Sequence, residues 1–140
     1  MKKADELLEK IYARVLSLDP PIKKIAVDSN DMEMNMQFLN LDRVCYITTR
    51  SDTGRSELML VTDDGEKYYS ARAFKDVCDD LADHPHFLNT SRFYVINLRK
   101  ITGLRFSSAR DLWFEGSKEP VINAVTETFK DAFEKRFNQV

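Results

Sequence analysis

Glycine and proline are scarce, four of each in 140 residues, and cysteine and tryptophan are scarcer, at two and one. So few glycines leave little for a phosphate-cradling loop: neither GxxxxGK(S/T) nor GxGxxG occurs, and no GxSxG elbow presents a serine nucleophile. Cys45 and Cys78 form no CxxC pair, which excludes the usual zinc and dithiol motifs and fits free thiols in a reducing compartment. No apolar run approaches the roughly 18 to 20 residues that a membrane-spanning helix needs. The start, Met1-Lys2-Lys3-Ala4-Asp5-Glu6, turns acidic where a secretory signal is apolar, so the expected location is the cytoplasm. With 43% hydrophobic and 31% charged residues the chain reads as an ordinary globular protein, and its length suits one hydrophobic core.

The hydrophobic period changes along the chain. Leu7, Leu8, Ile11, Tyr12, Val15 and Leu16 share a face of an amphipathic helix over Lys3 to Leu18, which Pro20-Pro21 stops. The expected division is therefore residues 1–21 as this helix and residues 22–140 as the main domain. From Ile22 onward the period is near 2. Met32, Met34, Met36 and Phe38 alternate with polar residues and predict a half-buried strand whose methionine stripe faces the core. Further strands are expected over Val44 to Thr48, Glu57 to Thr62 and Lys67 to Ser70, the last pair joined at Asp64-Gly65. Phe74, Val77, Cys78 and Leu81 place a short helix within Ala71 to Ala82, lying across a sheet. Short strands follow up to Pro120 to Ile122. A closing helix is expected from Ala124 to Phe137, capped by Asn123, with Val125, Phe129, Ala132, Phe133 and Phe137 inward. The fold class is mostly β (α+β), with antiparallel strands and N- and C-terminal helices.

Catalytic and metal-binding constellations are thin. His84 and His86 flank Pro85 beside Asp83, but no further ligands stand at suitable spacing, and they read as exposed loop histidines. Asp76, Asp79, Asp80 and Asp83 lack the glycine-bearing loop of a calcium site and read as a solvated face. No enzyme, metal or cofactor is expected. What remains is a set of polar inter-strand loops carrying Arg50, Arg55, Asn89, Ser91, Arg92 and Arg110. Loops on a rigid sheet can enter a duplex groove, where arginine donates to phosphate or guanine and asparagine pairs with adenine. The net charge of −2 argues against nucleic acid. Yet Phe87 to Arg110 contains Arg92, Arg99, Lys100, Arg105 and Arg110 and no acid, so this segment holds +5 and the rest −7.

The run Phe87-Leu88-Asn89-Thr90-Ser91-Arg92-Phe93-Tyr94-Val95-Ile96-Asn97-Leu98-Arg99-Lys100-Ile101 resembles the hallmark of LytTR-type DNA-binding domains, roughly F-x-R-x-H-R-S-Y-h-V-N-h-x-x-I with h hydrophobic. Phe87, Arg92, Tyr94, Ile96, Asn97, Leu98 and Ile101 match. Leu41 to Ile47 is similar to the family's D-I-x-Y-I-like segment, Asp64 to Tyr68 with Phe74 and Leu81 to its hairpin and helix, and Pro120-Val121 to its closing P-V-S-R. The resemblance spans about Ile22 to Phe137. It implies a transcriptional regulator that binds repeated promoter sites on double-stranded DNA through loops in the major groove, with no catalysis. Asn89, Ser91 and Asn123 stand where the family has Arg, His and Arg, and Phe93 where it has Ser. Carried over, the DNA-binding set is Arg50, Arg55, Asn89, Ser91, Arg92, Arg110 and Asn123. The alternative is a LytTR-fold protein-interaction module or antagonist that no longer binds DNA. The N-terminal helix offers either a dimer or partner surface, or a layer on its own sheet.

Overall fold

Strand polarity in this protein is set by which residues oppose one another across each antiparallel pair. The computed structural model describes residues 23–29, 34–106 and 109–138. The expected helix over Lys3 to Leu18, the 1–21 segment and Met32 lie outside the described residues. Strands β1 (Lys24–Asp28) and β2 (Met36–Asn40) pair as a hairpin. Then come β3 (Val44–Thr48), β4 (Leu58–Thr62), β5 (Lys67–Ser70), helix α1 (Phe74–Leu81), β6 (Phe87–Asn89), β7 (Tyr94–Asn97), β8 (Ile101–Phe106), β9 (Arg110–Phe114), β10 (Val121–Val125) and helix α2 (Lys130–Phe137). Every strand pairing is antiparallel. β5-β4-β3-β7-β6 form a central five-stranded sheet, and β10-β9-β8 a second sheet.

All five residues of β4 are buried, as befits a strand covered on both faces. Successive side chains point to opposite faces, so the central sheet feeds two hydrophobic clusters instead of the single core expected. Val95 joins one, with Ile25, Val27 and Leu39 of the hairpin and Val77 and Leu81 of α1. Its neighbour Ile96 joins the other, with Leu112 and Phe114 of β9, Ala124 and Val125 of β10, and Phe133 of α2. Gly65, at φ 82°, makes the expected turn between β4 and β5.

Three expectations are corrected. Met34, Met36 and Phe38 do not face the core: they are 45%, 54% and 64% exposed. Register explains this, because buried Ile25 opposes Leu39, which puts Phe38 opposite Ala26 and Met36 opposite Asp28 on the outer face. Second, the closing helix begins later than Ala124. Val125 is still paired with Arg110, and Thr126 N–H donates to Thr90 O at 3.1 Å, so these backbone groups are satisfied by sheet-like bonds. A 3-10 turn at Glu127–Phe129 then leads into α2, Asn123 caps nothing, and Ala132 is exposed. Third, His84 is buried at 2% exposure, its ring edge-on to Phe87 at 5.0 Å, with Nδ1 accepting from His86 N–H at 3.2 Å. Burial pushes its pKa down, which favours the neutral imidazole.

Candidate nucleic-acid interface

Hydrogen bonds and strand pairing gather the β3–β4 loop, the β6–β7 turn and the adjoining ends of β8, β9 and β10 at one end of the central sheet. Thr48 opposes Tyr94, and Thr49 N–H donates to Phe93 O at 3.1 Å, which sets the β3–β4 loop beside the β6–β7 turn. Buried Thr90 ties that turn to β10. Its N–H donates to Tyr94 O at 3.1 Å, its hydroxyl donates to Ala124 O at 2.7 Å, and its carbonyl accepts from Thr126. Val125 then opposes Arg110, which opposes Phe106, so the end of β8 and the start of β9 arrive at the same end. A threonine is needed here because valine has the shape but not the donor.

The predicted residues divide by what their side chains do. Arg50 is exposed, with its guanidinium 4.2 Å from the centroid of the Phe93 ring. Arg55 and Arg92 are exposed, and neither guanidinium forms an ion pair among the described residues. Asp52, in the same loop as Arg50 and Arg55, is engaged by Lys67 at 2.9 Å and the Tyr69 hydroxyl at 2.6 Å. The Tyr69 hydroxyl and then Lys67 hold its carboxyl below the usual range. Asn123 is exposed with φ 56°, a left-handed conformation asparagine tolerates, at the register break in β10.

The other three predicted residues are turned to the protein. Asn89 Nδ2 donates to Ser91 O at 2.8 Å and Tyr94 O at 3.0 Å, bracing the turn. Ser91 is fully buried and its Oγ accepts from Phe93 N–H at 3.0 Å. Arg110 is 6% exposed, donates to Glu134 at 2.8 Å and lies 4.6 Å from the Phe106 ring centroid. The acid-free segment likewise does not fold into one cationic face. Lys100 joins Asp63 and Glu115 at the opposite end of the sheet, and Arg105 pairs with Asp111 at 2.6 Å. Hydrogen bonding from Asn123 N–H, and then Arg105, holds the Asp111 carboxyl below its usual range.

Sequence reasoning missed Phe93 and Thr90 as parts of this site. Phe93 registered only as a departure from the family pattern, and its position just outside β7, 37% exposed, is what puts it under Arg50. Thr90 had no local signal, since its partners lie in β10. Among the described residues, no group of three or more His, Cys, Asp or Glu is arranged to hold a metal ion, and no helix is long and apolar enough to cross a membrane.

No family model matches the sequence, and neither does any curated protein. The fold is similar to that of a solved LytTr DNA-binding domain from Bacillus cereus, with a TM-score of 0.61 at 13% identity. The superposition covers 82% of this chain and 96% of that one. The protein thus has a LytTr-like fold, as the sequence resemblance implied.

Proposed function

We propose that the protein is a DNA-binding transcriptional regulator of LytTR type, acting in the cytoplasm on repeated promoter sites, and that it meets the duplex with the loop end of the central sheet. The observation that carries this reading is the presence of three exposed arginines, Arg50, Arg55 and Arg92, without ion pairs among the described residues, on loops that the Thr49–Phe93 hydrogen bond holds side by side. Such groups can neutralise phosphates or donate in pairs to guanine. Asn123, on a bulged strand at the same end, adds an amide able to read an adenine edge. Fold alone does not give function, so the weight rests on these side chains.

Asn89, Ser91 and Arg110 are dropped from the contact set. Each is turned inward, and the first two act by shaping the turn that carries Arg92. That same loss of contact groups favours a second reading, a protein-interaction module on the LytTr-like scaffold. Selection of bound sequences from a random duplex pool separates the two. The regulator reading predicts enrichment of a repeated motif. A pool that remains unenriched after several rounds favours the interaction module.

A further inference from the structure

The outer face of the β1–β2 hairpin carries large apolar side chains among the polar Lys24, Asp28 and Asn40. Met36 and Phe38 project from it opposite Asp28 and Ala26, and exposed Met34 lies just before β2, while the inner face is already packed on α1 and the central sheet. Large exposed apolar side chains grouped close together in the chain mark a contact surface, and methionine adapts well to a partner's shape.

The chain itself supplies a matching segment. Residues 3–18 carry Leu7, Leu8, Ile11, Tyr12, Val15 and Leu16 at helical spacing, with Glu6, Glu9, Lys10 and Arg14 among them. They precede the hairpin directly. Lys23 is anchored, its carbonyl accepting from Leu41 N–H at 2.9 Å, so the segment departs from the end of the hairpin where Lys24 opposes Asn40. Asp19-Pro20-Pro21-Ile22 can reach about 13 Å, enough to reverse direction and no more. A helix over residues 3–18 is about 24 Å long and a five-residue strand about 17 Å, so a segment folding back from this tether covers the face as far as Met34. A leash this short also gives the segment a high effective concentration at the hairpin of its own chain.

We infer that residues 3–18 dock as an amphipathic helix on the outer face of the β1–β2 hairpin of the same chain, against Met34, Met36 and Phe38. This holds independently of what the loop end binds.

The test uses the full chain labelled at methionine, leucine and isoleucine methyl groups. Nuclear Overhauser contacts should join the Met34 and Met36 methyls to Leu7, Leu8 or Ile11. Isotope-filtered spectra of mixed labelled and unlabelled chains should show those contacts to be within one chain. Leu8→Asp with Ile11→Asp should shift the Met34 and Met36 signals and leave Met59, buried in β4, in place. Contacts seen only between chains would overturn the proposal in favour of a second copy as occupant. Unmoved Met34 and Met36 signals in the double variant would overturn it outright. Phe38→Ser gives a check from the other side: amide exchange across residues 7–16 should accelerate at least tenfold, and unchanged exchange contradicts docking.

Discussion

The guanidinium of Arg50 lies over the ring of Phe93, its Cζ 4.2 Å from the ring centroid, across two different connections of the sheet. A guanidinium held over a ring face by cation–π attraction keeps N–H groups with which to donate. The side chain is thereby ordered before any ligand arrives, which lowers the entropy cost of binding.

Replacing Phe93 by Ala should therefore weaken duplex binding without touching a DNA contact. An exposed cation–π pair is worth about 0.5 to 1 kcal/mol, so the expected loss is roughly two- to fivefold in Kd. Fluorescence anisotropy on a labelled duplex reads this. Phe93→Tyr keeps the ring and should keep the affinity. Equal losses in both variants would mean the ring does not order Arg50.

Thr90 and Asn89 should behave as structural residues. Thr90→Val keeps shape and removes the buried bond to Ala124 O, and Asn89→Ala removes two bonds to turn carbonyls. Each should lower unfolding stability by about 1 to 3 kcal/mol in urea titrations. A loss of DNA binding with an unchanged unfolding midpoint would instead make them contact residues.

The strands themselves were largely legible in the sequence. β3 and β5 lie at the expected residues, because β-branched and aromatic runs and the Asp64-Gly65 turn are local signals. Which parity of β2 faces inward was not legible, since it depends on the register with Ile25 and Val27. The end of β10 was missed for a similar reason: Val125 and Thr126 find their partners in β9 and at Thr90. Arginine content drew attention to these loops, but residue type could not separate exposed Arg92 from Arg110, which is held by Glu134.

The bulge that carries Asn123 should loosen in acid. The Asp111 carboxyl accepts from Asn123 N–H and pairs with Arg105, which lowers its folded pKa below the unfolded value of about 3.9. Its contribution is thus complete above about pH 4 and is lost as pH falls through the folded value. Urea unfolding from pH 6 to pH 3 should show a steeper loss of stability for the natural protein than for Asp111→Asn. Parallel pH profiles would contradict this role.

The most direct test of the loop end as a DNA-binding surface is a duplex titration repeated at several salt concentrations. Neutralising two to three phosphates through Arg50, Arg55 and Arg92 predicts a slope of log K against log salt of about −2 to −3, and a Kd below about 10⁻⁴ M at low salt. Arg92→Ala should reduce the slope by about one and move unfolding stability by less than about 0.5 kcal/mol. Binding weaker than about 10⁻⁴ M at low salt, with no dependence on salt, would contradict it.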